Sequence, residues 1–151
     1  MAVAPAGTVA AVSEDRQHIS SGSPWELIFG YSRAVRVGDH VFLGGTPPLW
    51  PDGSVDPDPV AQTSRCMELI EKALMEAGGR LDDVVRTRVY LIDPADFAAV
   101  TRVHGERFGN LRPANTTVIV SALANPAWRV EIEVDAVIGN RVREPSDNRN
   151  S

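Results

Sequence analysis

The stretch LRPANTTVIVSALANPAWRVEIEVDAVI, from Leu111 to Ile138, decides the fold. A proline-led entry feeds an alternating run from Asn115 to Ala122. Asn125-Pro126 marks a turn, and a second alternating run extends from Val130 to Ile138. Side chains on a strand point to opposite faces with a period of two. Val130, Ile132, Val134, Ala136 and Ile138 therefore share an apolar face, and Glu131, Glu133 and Asp135 share the other. A row of like charges must be solvated, paired with cations or used in chemistry. This one segment thus predicts a strand with a core side and a side on which function turns.

Upstream, Val84–Ile92 alternates in the same way. Val85, Thr87, Val89 and Leu91 face one side, and Arg86, Arg88 and Tyr90 the other. Two helices flank that strand. Pro59–Ala77 carries apolar residues at spacings of three and four (Cys66, Leu69, Ile70, Ala73, Leu74, Ala77) and stops at Gly78-Gly79. Asp93-Pro94 gives an N-cap and a first helical residue, with Phe97, Val100, His104 and Phe108 as the stripe that follows. Ser32–Val37 and His40–Gly44 flank Gly38-Asp39, a hairpin signal. Arg16–Ser20 is a short strand, Ser21–Glu26 a turn, and 45–59, rich in Gly, Pro and Asp, a loop. The order ββαβαββ, with one greasy stripe per helix, calls for a mixed or mainly antiparallel sheet with both helices on one face. The other face would hold the three acids with Arg86 and Arg88. An open face of that kind invites burial in an oligomer.

At 151 residues the chain fits a single domain, expected over 14–140, between disordered tails at 1–13 and 141–151. No apolar run approaches the roughly 20 residues of a membrane span, so no membrane partner is expected. The net charge is -5 and the basic residues are scattered, which argues against nucleic acid as a partner. Cys66 is the only cysteine, so no disulfide can form within the chain, and a reducing cytoplasm is the expected compartment. His18, His40 and His104 show no metal-ligand spacing, and no metal or other cofactor is expected.

The segments GYSRAVRVGDHVFLGGTPP, EAGG, LDDVVRTRVYLIDPADFAAV and RPANTTVIVSAL…VEIEVDAV resemble the RidA/YjgF family, also called the endoribonuclease L-PSP family. The likeness runs from about Gly30 to Val137. It implies a chorismate-mutase-like α+β fold, a homotrimer, and small-molecule substrate sites in the clefts between subunits. It also implies cofactor-independent hydrolysis of imines or enamines to carbonyl compounds and ammonia. Carried over residue by residue, Glu131 is the catalytic glutamate that positions or activates water. Tyr31, Gly44, Thr101, Asn115 and Thr117 take the family's substrate-binding positions. Asn115 stands where active relatives keep an arginine for the substrate carboxylate, Gly44 where they keep a serine, and Thr101 where they keep an asparagine.

An arginine grips a carboxylate with a planar, permanently charged fork, and an asparagine offers only neutral hydrogen bonds. The resemblance therefore implies a retained fold with a changed substrate: a neutral or differently charged imine, enamine or carbonyl compound rather than a free 2-imino acid. The alternative is a non-catalytic trimeric module that binds a small molecule or a protein. RNA cleavage, the literal sense of the second family name, has neither a basic surface nor paired histidines behind it.

Each residue also has a plainer reading. Glu131 could belong to a strand face neutralised by Arg86 and Arg88. Asn115 is a common strand-entry residue, and Tyr31 a partly buried edge tyrosine. Trp25, Trp50 and Trp128 fall outside the apolar periodicities and either cover a ligand or cap the core. Trp128, just before Glu131, is placed nearest the site. His104 reads as a satisfied core histidine, Cys66 as a buried small hydrophobe, and Lys72 as a solvated charge. Arg88, Arg112 and Arg129 are the candidate substitutes for the missing clamp.

Overall fold

The computed structural model describes residues 16–140. The tails expected at 1–13 and 141–151 lie outside the described residues. The elements follow as β1 (Arg16–Ile19), α1 (Trp25–Phe29), β2 (Ala34–Val37), β3 (His40–Thr46), α2 (Pro59–Glu76), β4 (Val84–Leu91), α3 (Phe97–Phe108), β5 (Ala114–Ile119) and β6 (Val130–Val137). The strands make one mixed sheet in the order β1-β2-β3-β6-β4-β5. Only β4 and β5 pair in parallel.

The last strand in sequence sits at the centre. β6 runs antiparallel to both neighbours, β3 and β4, so those two run the same way. Strands that run the same way need a crossover. α2 supplies it between β3 and β4, and α3 between β4 and β5. Both helices pack on one face, giving the α+β layering the sequence predicts. Their buried residues, among them Met67, Ile70, Leu74, Val100 and Phe108, form one core with Val89, Leu91, Val130, Ile132 and Val134 of the sheet.

Local chemistry explains the boundaries. Asp58 caps α2 by accepting from the Val60 N–H at 3.0 Å, and Pro59 follows it. Gly78 ends the helix at φ 86°, with the Gly79 N–H donating to the Leu74 carbonyl at 2.8 Å. Asp93 accepts from the Ala95 N–H at 2.9 Å and opens a 3-10 turn, Pro94–Asp96, that leads into α3. Gln62, fully buried on α2, donates to the Asp56 and Ala127 carbonyls and accepts from the Arg129 N–H. It thereby pins the loop before β6 onto the helix.

Four expectations shift. Trp25 and Glu26, read as the end of a turn, belong to α1. Glu26 accepts from the Ser20 hydroxyl and from the Ser21 hydroxyl and N–H, and Gly30 stops the helix at φ 72°. Five residues are too few to show a period. Four of them are large and apolar yet exposed, Leu27 at 93%. On β4, Val84 is buried and Val85 exposed, because a bulge between Val84 and Arg86 inserts Val85 as an extra residue. On α3, Phe97 is half exposed and Val103 is buried in its place. β5 ends at Ile119, short of Ala122, because its parallel partner ends there: Leu91 stands opposite Ile119.

Candidate functional site

The acidic row of β6 faces away from the helices, and its three carboxylates have different fates. Register places Arg88 opposite Glu133 and Tyr90 opposite Glu131. Arg88 Nη1 lies 3.3 Å from Asp135 and 3.6 Å from Glu133, and the Tyr90 hydroxyl donates to Glu133 at 2.6 Å. Glu131 has neither a hydrogen bond nor an ion pair among the described residues. Burial pushes its carboxyl above the ordinary value of 4.5; Arg33 opposes the shift and Glu133 adds to it. Two acids are thus neutralised structure, and the third is a desolvated, unpaired base.

Gly44-Gly45 makes the floor beneath Glu131. The β3–β6 register slips between Leu43 and Thr46, so a bulge sits there in place of a phosphate loop. A β-carbon on Gly45 would lie 2.5 Å from Glu131 Oε1 and 3.1 Å from its carboxyl carbon. A β-carbon on Gly44 would meet the Arg33 carbonyl at 3.6 Å and the Ser32 carbonyl at 3.9 Å. Gly45→Ala is therefore expected to displace the Glu131 carboxylate. A misplacement near 1 Å costs about 100-fold in rate. Gly44→Ala should leave the Glu131 carboxylate in place, because its β-carbon makes only ordinary contacts, so any loss there reports on the cavity Gly44 lines. Turnover of the two variants side by side checks this.

Tyr31 and Gly44 line a cavity of about 390 Å³ on the open face, with His18, Ser32, Phe42 and Glu133. The His18 ring lies 2.9 Å from the Ser32 hydroxyl.

Asn115 and Thr117 lie on the other side of the sheet. Asn115 stands opposite Thr87, a buried residue of the helix-facing side, and donates to its hydroxyl at 3.0 Å. The Thr117 hydroxyl donates back to Asn115 Oδ1 at 2.9 Å. His104 shares Thr87 at 2.8 Å, and burial holds its pKa below 6.5, as suits a satisfied core histidine. Within one chain, then, Asn115 and Thr117 do not meet Glu131. Thr101 is exposed on α3 and donates to the Phe97 carbonyl at 2.8 Å, outside that cavity. Trp128 also lies outside it, and its buried indole N–H has no acceptor among the described residues.

The three arginines proposed as substitute clamps are otherwise placed. Arg129 forks onto Asp96, with Nε and Nη2 both at 2.7 Å. Arg88 serves the acidic row. Arg112 is exposed, at φ 48°. The cation whose charge reaches Glu131 is Arg33, which the sequence reading passed over. It is buried, and its Nη1 donates to the Gly45 carbonyl and to the Thr46 hydroxyl. The hairpin register alone does not reveal it, because a bend at Arg33 turns the side chain off its strand parity. With Ala34 opposite Leu43, Arg33 falls across from Gly44, where no side chain blocks it. Cys66 is buried and its thiol is pushed far up by burial, which leaves it unreactive.

A family model described as Endoribonuclease L-PSP matches residues 24–138. A Streptomyces coelicolor protein, itself described as uncharacterized, is 38% identical over 84% of this chain and 96% of its own length. A RutC family protein of Pyrococcus abyssi is 41% identical over 71% of this chain and 84% of its own. Among solved structures, a member of the YjgF/YER057c/UK114 family from Mycobacterium tuberculosis superposes with a TM-score of 0.75 at 44% identity, covering 82% of this chain and 99% of that one. A putative endoribonuclease from Thermotoga maritima gives 0.70 at 31% identity, over 82% and 93%.

Proposed function

Because the chain belongs to the RidA/YjgF family, described as endoribonuclease L-PSP, we propose that it is a cofactor-independent hydrolase of small neutral imines or enamines. The observation that carries this reading is the free Glu131 carboxylate beside two neutralised neighbours. Water attacks the C=N carbon while Glu131 takes its proton. That proton goes to the imine nitrogen to give the carbinolamine; Glu131 then carries the hydroxyl proton to the nitrogen, and ammonia leaves as the carbonyl forms. General acid–base help of this kind contributes about 10²–10⁴-fold.

A second copy of the chain completes the site. Glu131, Tyr31 and Gly44 belong to the open face, and Asn115 and Thr117 to the β5 edge behind it, so the two groups meet only across a subunit boundary. A homotrimer with three such clefts supplies that boundary. The half-exposed apolar residues of the open face, Phe42 among them, support burial of that face.

The substrate class follows from Asn115. Its amide is neutral and already bonded to Thr87 and Thr117. Losing a charge-assisted carboxylate pair costs about 2–5 kcal/mol, roughly 30- to several-thousand-fold in affinity. On this reading an uncharged imine or enamine is a better substrate than a free 2-imino acid, whose carboxylate would find only the more distant charge of Arg33 near Glu131.

The test is a panel of freshly generated neutral imines, enamines and 2-imino acids, followed by carbonyl formation. At least one neutral member should be hydrolysed faster than in buffer, and 2-imino acids should not. Asn115→Arg should add 2-imino acid hydrolysis. Acceleration of nothing in the panel, with saturable binding of a small molecule, would leave a non-catalytic binding module.

A further inference from the structure

A second cavity, of about 370 Å³, lies on the helix side of the sheet, between α2, the loop after β1 and the loop after β3. That volume suits a small organic molecule. Its wall is unusual for a chain of net charge -5. The chain's only lysine, Lys72, lines it together with Arg33 and Arg65, and Glu76 is the only acid in the lining. Leu69, Ala73 and Trp50 supply apolar surface.

Arg33 is the key group. Only 9% of it is exposed. One arm of its fork is used on the Gly45 carbonyl and the Thr46 hydroxyl, whereas Nε and Nη2 have no acceptor among the described residues. Nor does any carboxylate of those residues come within 4.0 Å of it. Glu26 and Glu131 feel its charge from farther off, but Glu26 is spent on Ser20 and Ser21 and Glu131 faces the other side of the sheet. Neither nitrogen is sealed off, so the free edge of the fork is open to an acceptor in the cavity that Arg33 lines, and an anion there gains a charge-assisted pair. Arg65 is engaged elsewhere, donating to the Leu49 carbonyl at 2.6 Å and pairing with Glu68 at 3.0 Å, so it shapes the mouth.

We propose that this cavity is a ligand site distinct from the Glu131 site, built for a small organic monocarboxylate. Arg33 and Lys72 hold its anionic end, and Leu69, Ala73 and Trp50 its apolar body. One free fork edge and one ammonium match two carboxylate oxygens. A phosphate would leave oxygens unsatisfied and the apolar wall unused.

Trp50 gives a native reporter. The full chain is titrated with benzoate, with neutral benzamide and with inorganic phosphate, and tryptophan fluorescence is read. Benzoate should saturate the signal at least about tenfold more tightly than benzamide or phosphate, the discrimination one charge-assisted pair gives. Trp50→Phe should abolish the signal. Lys72→Ala, at an exposed position, should weaken benzoate about fivefold, and Arg33→Gln more. Leu69→Trp, which fills the cavity without changing charge, should block it. Should Arg33→Gln fail to fold, the Lys72 and Leu69 variants decide the matter. Equal affinity for benzoate and benzamide, phosphate as tight as benzoate, or benzoate binding untouched in Lys72→Ala and Leu69→Trp would each overturn the proposal. The readout is binding alone, so the result stands apart from whether Glu131 hydrolyses imines.

Discussion

Replacing Glu131 by Gln is expected to lower turnover of the accepted imine by about 10²–10⁴-fold, the usual contribution of a positioned acid–base group. The same change is expected to raise the thermal midpoint at pH 7. The two effects share one cause: the carboxylate is half-buried and has no partner among the described residues. Its folded-state pKa lies above the ordinary 4.5, so folding favours the protonated form. Stability from this group is present below pH 4.5 and is lost as pH rises through the raised value. Above that, the ionised carboxylate is a cost which the neutral amide removes. The stabilisation by Gln should therefore be clear at pH 7 and vanish near pH 4. Thermal melts at the two pH values, beside turnover at pH 7, check both limbs. A variant that loses activity and is also less stable at pH 7 would mean Glu131 is a structural anchor.

Gln62→Leu carries the largest expected loss of stability, about 3–5 kcal/mol. Leucine keeps the bulk but strands the Asp56 and Ala127 carbonyls and the Arg129 N–H. These bonds are part-buried, and each such polar group left unpaired costs about 1 kcal/mol or somewhat more. In a domain of this size that is about 6–20 °C in midpoint. Urea titration measures it directly. The loop that comes loose leads into β6, so turnover should fall as well, although Gln62 lies on the helix side of the sheet. A loss below about 1 kcal/mol would show that water replaces the amide.

Where a period repeats several times, the sequence was legible. β6 alternates through eight residues and α2 runs for eighteen, and both are found as read. α1 spans five residues and offers no repeat to detect. Phase was lost at Val85 because a bulge is set by pairing with the neighbouring strand, and nothing in Val84–Leu91 alone announces it. Among site residues, Glu131 could be picked from the acidic row by resemblance. Its distinction from Glu133 and Asp135 depends on where Arg88 and Tyr90 point, which only the cross-strand register fixes. Arg33 was missed because strand parity alone puts it on the open face, and a bend before β2 turns it to the other. Asn115 illustrates a further gap: its residue type was informative, but its side of the sheet depends on pairing with Thr87.

The central place of β6 dictates when this protein can fold. Until residue 137 has left the ribosome, the nascent chain holds two sheet fragments, β1-β2-β3 and β4-β5, whose raw edges on β3 and β4 await the same missing strand. The sheet thus cannot close before β6 emerges, and a chain interrupted before Val130 exposes two adhesive borders to its neighbours on the polysome.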